Sequence, residues 1–321
     1  MADTSFQHLS VSSSKRPTEP SISLFLPAYF TSFITFPISL GGMNAREEQR
    51  LRKAVSDATV ACIQEAEVFL PPDVKAAIDA AYESEADPVA RGELANIRAN
   101  ISEAERLSLP LCQDTGIAVI YMTVPRCYPL HETDLREAVY DGLRRATLSV
   151  PLRPNAVDPV SRQNTGDNTG VAIPSIHISE GSDLTITVLP KGAGSENVSR
   201  IGMLLPSQAG DIPAFIVETV LLAGGRPCPP VVVGVGIGGT FDVAAALAKE
   251  ALLSPIDTMD TYETEICSAI NNLGIGPMGL GGSTTALAVK VKKAHCHTAS
   301  LPVAVNIQCW ACRRATRKVS A

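Results

Sequence analysis

From Asn44 onward, Leu51, Val55, Ala58 and Cys62 fall on one stripe of a 3.6-residue period, which predicts an amphipathic helix capped by Asn44. Pro72 opens a second helix carrying Val74, Ala77, Ile78 and Ala81 on one face, and Pro88 precedes a third carrying Leu94, Ile97 and Ile101. The pattern then changes. Ile117 to Val124 and Leu184 to Leu189 read as strands, with a helix over Leu135, Val139 and Leu143 between them. Val231 to Val235 predicts a buried strand and Asp242 to Leu253 a helix. The predicted fold class is α/β, a helical N-terminal layer packed on a mixed-sheet α/β domain that runs over residues 43–321 without internal repeats or low-complexity linkers.

Residues 1–42 differ in kind. A Ser/Thr-rich start leads into an uncharged run from Ile22 to Leu40, which Pro27, Pro37 and many hydroxyl residues make a poor membrane span, and no signal-cleavage pattern precedes Gly41 and Gly42. The helical pattern begins directly after Met43. The expectation is that the native chain starts there and that residues 1–42 are an extension, disordered or not native.

At 321 residues the chain can form one large domain or two small ones. A net charge of −6 lacks the basic footprint of a nucleic-acid binder and favours a small-molecule partner. The 8 cysteines sit in a chain with ample apolar residues for a core, so they are expected as reduced thiols or metal ligands of a cytoplasmic protein rather than as disulfides.

Candidate chemistry gathers in a few segments dense in glycine, cysteine, acid and amide residues: Pro110–Gly116, Asn164–Gly170, Lys191–Asn197, Cys228 through Gly239, and a closing cluster of His297–Leu301 followed by Cys309–Arg314. Cys112, Cys228 and Cys309 each adjoin a turn signal or polar motif, and thiolates select zinc, copper(I) or iron–sulfur clusters. Structural zinc normally needs a second knuckle beside Cys309-x-x-Cys312, and none is present. Cys62, Cys127, Cys267 and Cys296 are read as packing residues, and Cys312 is left open between ligand and packing roles. Asp167 is read as a turn former.

Together, Cys112-Gln-Asp-Thr-Gly116, Asn164-Thr-Gly-Asp-Asn168, Lys191-Gly-Ala-Gly-Ser195, Cys228-Pro-Pro with Gly-Val-Gly-Ile-Gly-Gly-Thr240, and Cys309-Trp-Ala resemble the N-terminal domain of class I fumarases. The likeness is to the alpha subunits of two-chain fumarases and L-tartrate dehydratases in particular, and it runs from about Met43 to the end. The resemblance implies a [4Fe–4S] cluster held by Cys112, Cys228 and Cys309, with Gln113 and Asp114 facing substrate and Asp114 as a proton carrier. It further implies that Arg153 grips a substrate carboxylate, that the backbone at Gly194 lies against the ligand, and that His297 acts on the substrate side, with His295 as the rival for that part. Ala193 stands where the family often has glycine.

The implied activity is reversible hydration of fumarate to malate, with dehydration of L-tartrate to oxaloacetate as the alternative. The implied partner is a beta subunit in a heteromer, α2β2, because in fused members a further domain supplies more arginines and the base, and the sequence ends soon after Cys309. One rival comes from another class: Gly234-Val-Gly-Ile-Gly-Gly239 fits the dinucleotide fingerprint of a nicotinamide-dependent dehydrogenase. That fingerprint requires a second strand ending in an acidic residue, which Leu252 to Asp260 does not supply.

Overall fold

The computed structural model describes residues 43–320, so the expectation for residues 1–42 lies outside the described residues. Helix α1 (Ala45–Val68) begins where the Asn44 side chain accepts a hydrogen bond from the Glu47 amide, and α2 (Pro72–Ser84) and α3 (Pro88–Leu107) follow, each with proline in its first turn. Strand β1 (Ile117–Val124) and helix α4 (Glu132–Ser149) come next, then β2 (Ser175–Glu180) and β3 (Thr185–Lys191). A single helical turn, α5 (Ala193–Glu196), leads to β4 (Arg200–Leu204), α6 (Ile212–Ala223) and β5 (Val231–Gly239). The remainder is α7 (Phe241–Ala251), α8 (Thr261–Asn271), β6 (Ala286–Cys296), β7 (Leu301–Gln308) and β8 (Ala315–Lys318).

Two mixed four-stranded sheets result, in the orders β2-β1-β3-β8 and β4-β7-β5-β6. In the first, β1 runs parallel to β2 and antiparallel to β3, and β8 adds antiparallel to β3. In the second, β7 is antiparallel to β4 and β5, while β6 is parallel to β5. The alternation of side chains along each strand sorts the cores. Ile120, Met122, Ile186 and Val188 turn toward α1 and α4, whereas Val119 and Leu189 join α2 and α3 in a second core that also takes Val232 and Ala288 from the other sheet. Val231, Val233 and Val235 face the α6 and α8 side.

The opposite face of β5 carries its glycines, and their purpose is steric. A Cβ on Gly234 would lie 2.2 Å from the Ala248 carbonyl oxygen and one on Gly236 2.1 Å from that of Ala244, so α7 packs backbone against the strand. At Gly238 the Ala294 carbonyl oxygen of β6 would be 2.0 Å away. The G-x-G-x-x-G run is therefore a strand-packing device, and the strand parallel to β5 is β6, reached only after α7 and α8, with no acid-terminated strand in between.

Candidate active site

The site forms where the ends of the two sheets meet. The loop between α3 and β1 is hung from the first helices: the Leu111 amide donates to the Glu67 carbonyl at 2.8 Å, and Asn100 Nδ2 donates to the Leu111 carbonyl at 2.9 Å. Cys112 follows, partly exposed. The Asp114 carboxylate then accepts from the Gly116 amide at 3.0 Å and from the Ala193 amide at 2.8 Å, which fastens the first motif to the Lys191–Asn197 segment. Gly116 has to be glycine: its φ is +71° and a Cβ would lie 2.6 Å from the Lys191 carbonyl.

The second motif supports the same wall. Asn168 Oδ1 accepts from the Asn155 amide at 2.6 Å, and its Nδ2 donates to the Arg153 carbonyl at 3.1 Å. Thr115 Oγ1 accepts from the Arg153 amide at 3.1 Å. The Arg153 backbone is thereby fixed beside Asp114, while its side chain is exposed and no carboxylate among the described residues pairs with it. Asp167 is a turn former, its Oδ1 accepting from the Thr169 amide at 3.0 Å.

Lys191 ends β3 with its side chain 3% exposed, and Nζ donates to the Ile307 carbonyl at 2.7 Å and to Ser195 Oγ at 2.8 Å. Cys309 follows directly on β7, and the Trp310 amide donates to the Cys228 carbonyl at 3.2 Å, so the two distant thiol segments are stitched together. Cys112 lies within electrostatic reach of both Cys228 and Cys309. Burial pushes the Cys309 thiol up, and Arg313 and then Lys191 pull against it. Among the described residues no three His, Cys, Asp or Glu side chains converge tightly enough to share one ion, a spacing wider than a zinc knuckle needs. A cluster takes each thiolate on a different metal atom.

A cavity of about 420 Å³ opens beside this wall, lined by Asp114, Asn155, Lys191, Ala193, Glu196 and Lys249 among others. Glu196 bridges Lys249 at 2.6 Å and Lys191 at 3.3 Å. Burial pushes the Glu196 carboxyl up, but Lys191, Lys249 and the Asn306 amide outweigh it and hold it down at about 2. None of the three thiols lines this cavity, and none lines a larger groove of about 1440 Å³ along Glu65, Lys75, Glu105 and Arg317; the smaller cavity adjoins the thiol segments through Asp114 and Lys191.

The model matching the chain over residues 56–318 is that of fumarate hydratase (fumerase). The chain belongs to the fumarate hydratase family. It is a hydro-lyase of the class I type, a class whose members are iron–sulfur enzymes. Among its relatives is a Methanocaldococcus jannaschii protein provisionally named L(+)-tartrate dehydratase subunit alpha, 45% identical over 277 residues, which are 83% of this chain and 97% of that one. L(+)-tartrate dehydratase subunit alpha of Escherichia coli (strain K12) is 34% identical over 232 residues, 69% of this chain and 76% of the other. No helix among the described residues of this hydro-lyase is long and apolar enough to cross a membrane.

Of the residues singled out from the sequence, Cys112, Asp114, Arg153, Cys228 and Cys309 sit on the segments that interlock here, with Gln113 exposed beside Cys112. Gly194 is exposed on α5, and a Cβ there would meet the Arg226 carbonyl at an ordinary 3.5 Å, so the chain itself does not demand glycine. His297 stands apart. It occupies the exposed turn between β6 and β7, its Nδ1 accepting from the Ala299 amide at 3.1 Å, at the end of β7 remote from Cys309. The length of that strand separates them by roughly 25 Å, and His295 lies at the end of β6 that leads into the same turn. Cys312 is 0% exposed in the second core, and burial pushes its thiol up to about 12. Cys62 and Cys267 are buried, whereas Cys127 and Cys296, also read as packing residues, are exposed. The residues that sequence reasoning passed over are Lys191, Glu196, Lys249 and Arg313. Lys191, Glu196 and Arg313 stood inside quoted segments without being singled out, and only the fold reveals Lys249.

Proposed function

We propose that this chain is the cluster-binding alpha subunit of a two-subunit hydro-lyase that removes water from L-tartrate to give oxaloacetate, acting with a beta subunit, as an α2β2 heteromer, in the reducing cytoplasm. The observation that carries the reading is that the Cys228 and Cys309 segments are stitched together and Cys112 lies within electrostatic reach of both, with the buried cations Arg313 and Lys191 near Cys309. The names of the relatives, both tartrate dehydratase alpha subunits, move the preferred substrate from fumarate, the expectation from the sequence, to L-tartrate. Hydration of fumarate to malate is the second reading, supported by the family itself.

The three thiols would hold a [4Fe–4S] cluster, which supplies a Lewis-acid iron for the departing hydroxyl. The chain's own residues bind and orient. Arg153, its backbone clamped by Thr115 and Asn168, offers an unpaired guanidinium to one carboxylate of a dicarboxylate. Two backbone amides fix the Asp114 carboxylate at the cavity wall, where it can accept or return a proton at Oδ1 or Oδ2. The second carboxylate and the base that takes the carbon-bound proton fall to the beta subunit, because His297 is too far from the thiols within one chain.

Anaerobically reconstituted protein is expected to carry about four irons and as many labile sulfides per chain, with each of Cys112→Ala, Cys228→Ala and Cys309→Ala losing them. With the beta subunit added, rates on L-tartrate, D-tartrate, meso-tartrate and malate are compared. Faster turnover of malate than of any tartrate would reverse the substrate choice, and full turnover by the alpha chain alone would remove the need for a partner.

A further inference from the structure

Behind the thiols lies an ion pair to which the proposed chemistry assigns no substrate-binding or proton-transfer part. Arg313 Nη1 donates to Glu67 Oε2 at 2.5 Å, with the two side chains 1% and 2% exposed. Its Nη2 donates to the Asp114 carbonyl at 2.9 Å, while Nε, fully buried, has no acceptor among the described residues. Burying such a pair costs desolvation that mutual attraction barely repays, and an unfilled N–H adds to the cost, so a core that needed only volume would be served better by an apolar side chain. The groups in electrostatic reach of this guanidinium after Glu67 are Cys309, Cys112 and Asp114, two of the three being proposed ligands. Glu67 also accepts, through its own carbonyl, the Leu111 amide beside Cys112. One residue thus anchors both the ligand loop and the cation behind it.

We propose that Arg313 is a positioning residue for the cluster: Glu67 and the Asp114 carbonyl lock the guanidinium so that its free Nε–H and its charge act on the sulfur atoms at Cys112 and Cys309, setting how firmly the cluster is held and at what potential it accepts an electron. Hydrogen bonds to sulfur and nearby charge are the means by which proteins set these properties, and loss of such supporting groups weakens metal retention. Glu67 offsets part of that charge through Nη1 and fixes the fork of the guanidinium in one orientation, leaving Nε–H free. The inference rests on the cluster reading above.

The test uses the full chain, reconstituted anaerobically, as wild type, Arg313→Lys, Arg313→Met and the double variant Glu67→Gln/Arg313→Met. Three quantities are read: iron and labile sulfide content, the potential from an electron paramagnetic resonance titration, and the half-time of cluster loss on exposure to ferricyanide. Arg313→Met is expected to lower the potential and shorten the half-time by about 10-fold or more, with Arg313→Lys between it and wild type because charge is kept and Nε–H is lost. The double variant leaves no unpaired buried charge, so it is expected to unfold at the wild-type urea midpoint while keeping the cluster defects of Arg313→Met. Wild-type potential and half-time in the double variant or in Arg313→Met would overturn the proposal and leave the pair a packing feature. Failure of the wild type itself to take up iron and sulfide would instead overturn the cluster reading, and this inference with it.

Discussion

Two glycine-rich segments of this chain look alike in sequence and do opposite things. In β5 the space that a Cβ would take at Gly234 and Gly236 is filled by carbonyl oxygens of α7, so the glycines are spent on bringing strand and helix together. At α5 the space beside Gly194 is open to ordinary contact, and its neighbour Ala193 already carries a Cβ while its amide holds Asp114. The first segment resembles a ligand loop and is scaffold. The second reads as a turn and lines the cavity. What decides the meaning of a glycine is the identity of the atoms standing where its side chain would be.

Substitution should separate the two sharply. Gly236→Ala would place a Cβ 2.1 Å from the Ala244 oxygen, and because the obstacle is backbone, it is expected to cost about 3 kcal/mol or more. Gly194→Ala is expected to change stability by less than about 0.5 kcal/mol while lowering turnover in the complex. Urea unfolding of both variants gives the comparison, and equal losses would erase the distinction.

The same contrast between scaffold and cavity wall recurs in Cys309 and Cys312. Cys312→Ala is expected to cost about 1 kcal/mol for the void it leaves and to keep iron and sulfide, whereas Cys309→Ala should lose both with little effect on the metal-free fold. Retention of the metal in Cys309→Ala and its loss in Cys312→Ala would exchange their roles.

A modest, pH-dependent effect is expected at Glu196, at the junction between the sheets. Its carboxyl is held at about 2 against an ordinary 4.5, so its contribution is complete above 4.5 and is lost as pH falls toward 2. Glu196→Gln should flatten stability over that window. Discounting the shift because the side chain is 40% exposed, it should cost about 1 kcal/mol at neutral pH. An unchanged slope in the urea midpoint between pH 5 and pH 2 would show that Lys191 and Lys249 do not hold the carboxylate down.

Local periodicity made the first half of the fold legible. The stripes of α1 to α4 and the run of β1 need only nearby residues to be recognised, and all stand where the pattern predicts them. Helix α6 escaped notice because Ile212–Ala223 is apolar almost all round and shows no polar face to give a period. β6 and β7 were missed because Lys290, Lys292 and Lys293 break the apolar run of one, while the other joins a sheet whose partners are far away in sequence. The thiols were legible through their motifs. Arg313 was not, since nothing local distinguishes it from Arg314, and only the approach of Glu67 makes it a buried cation. His297 illustrates the converse: proximity in sequence to the last thiol motif concealed a whole strand's length between them.

The Glu67–Arg313 pair closes a span of 246 residues. At the ribosome's pace of about 5–20 residues per second, helix α1 waits roughly 12 to 50 s for the guanidinium that completes it. During that interval α1 to α4 can already pack on β1 and β3, since their contacts are nearer in sequence, and β5 can bury its glycines under α7. Cys112 and Cys228 are both made by then, but Cys309 and the cation behind it are not. The thiol pocket is thus completed late in synthesis, and on the proposed ligand set iron offered to the nascent chain before Cys309 is made would meet only two of the three thiols.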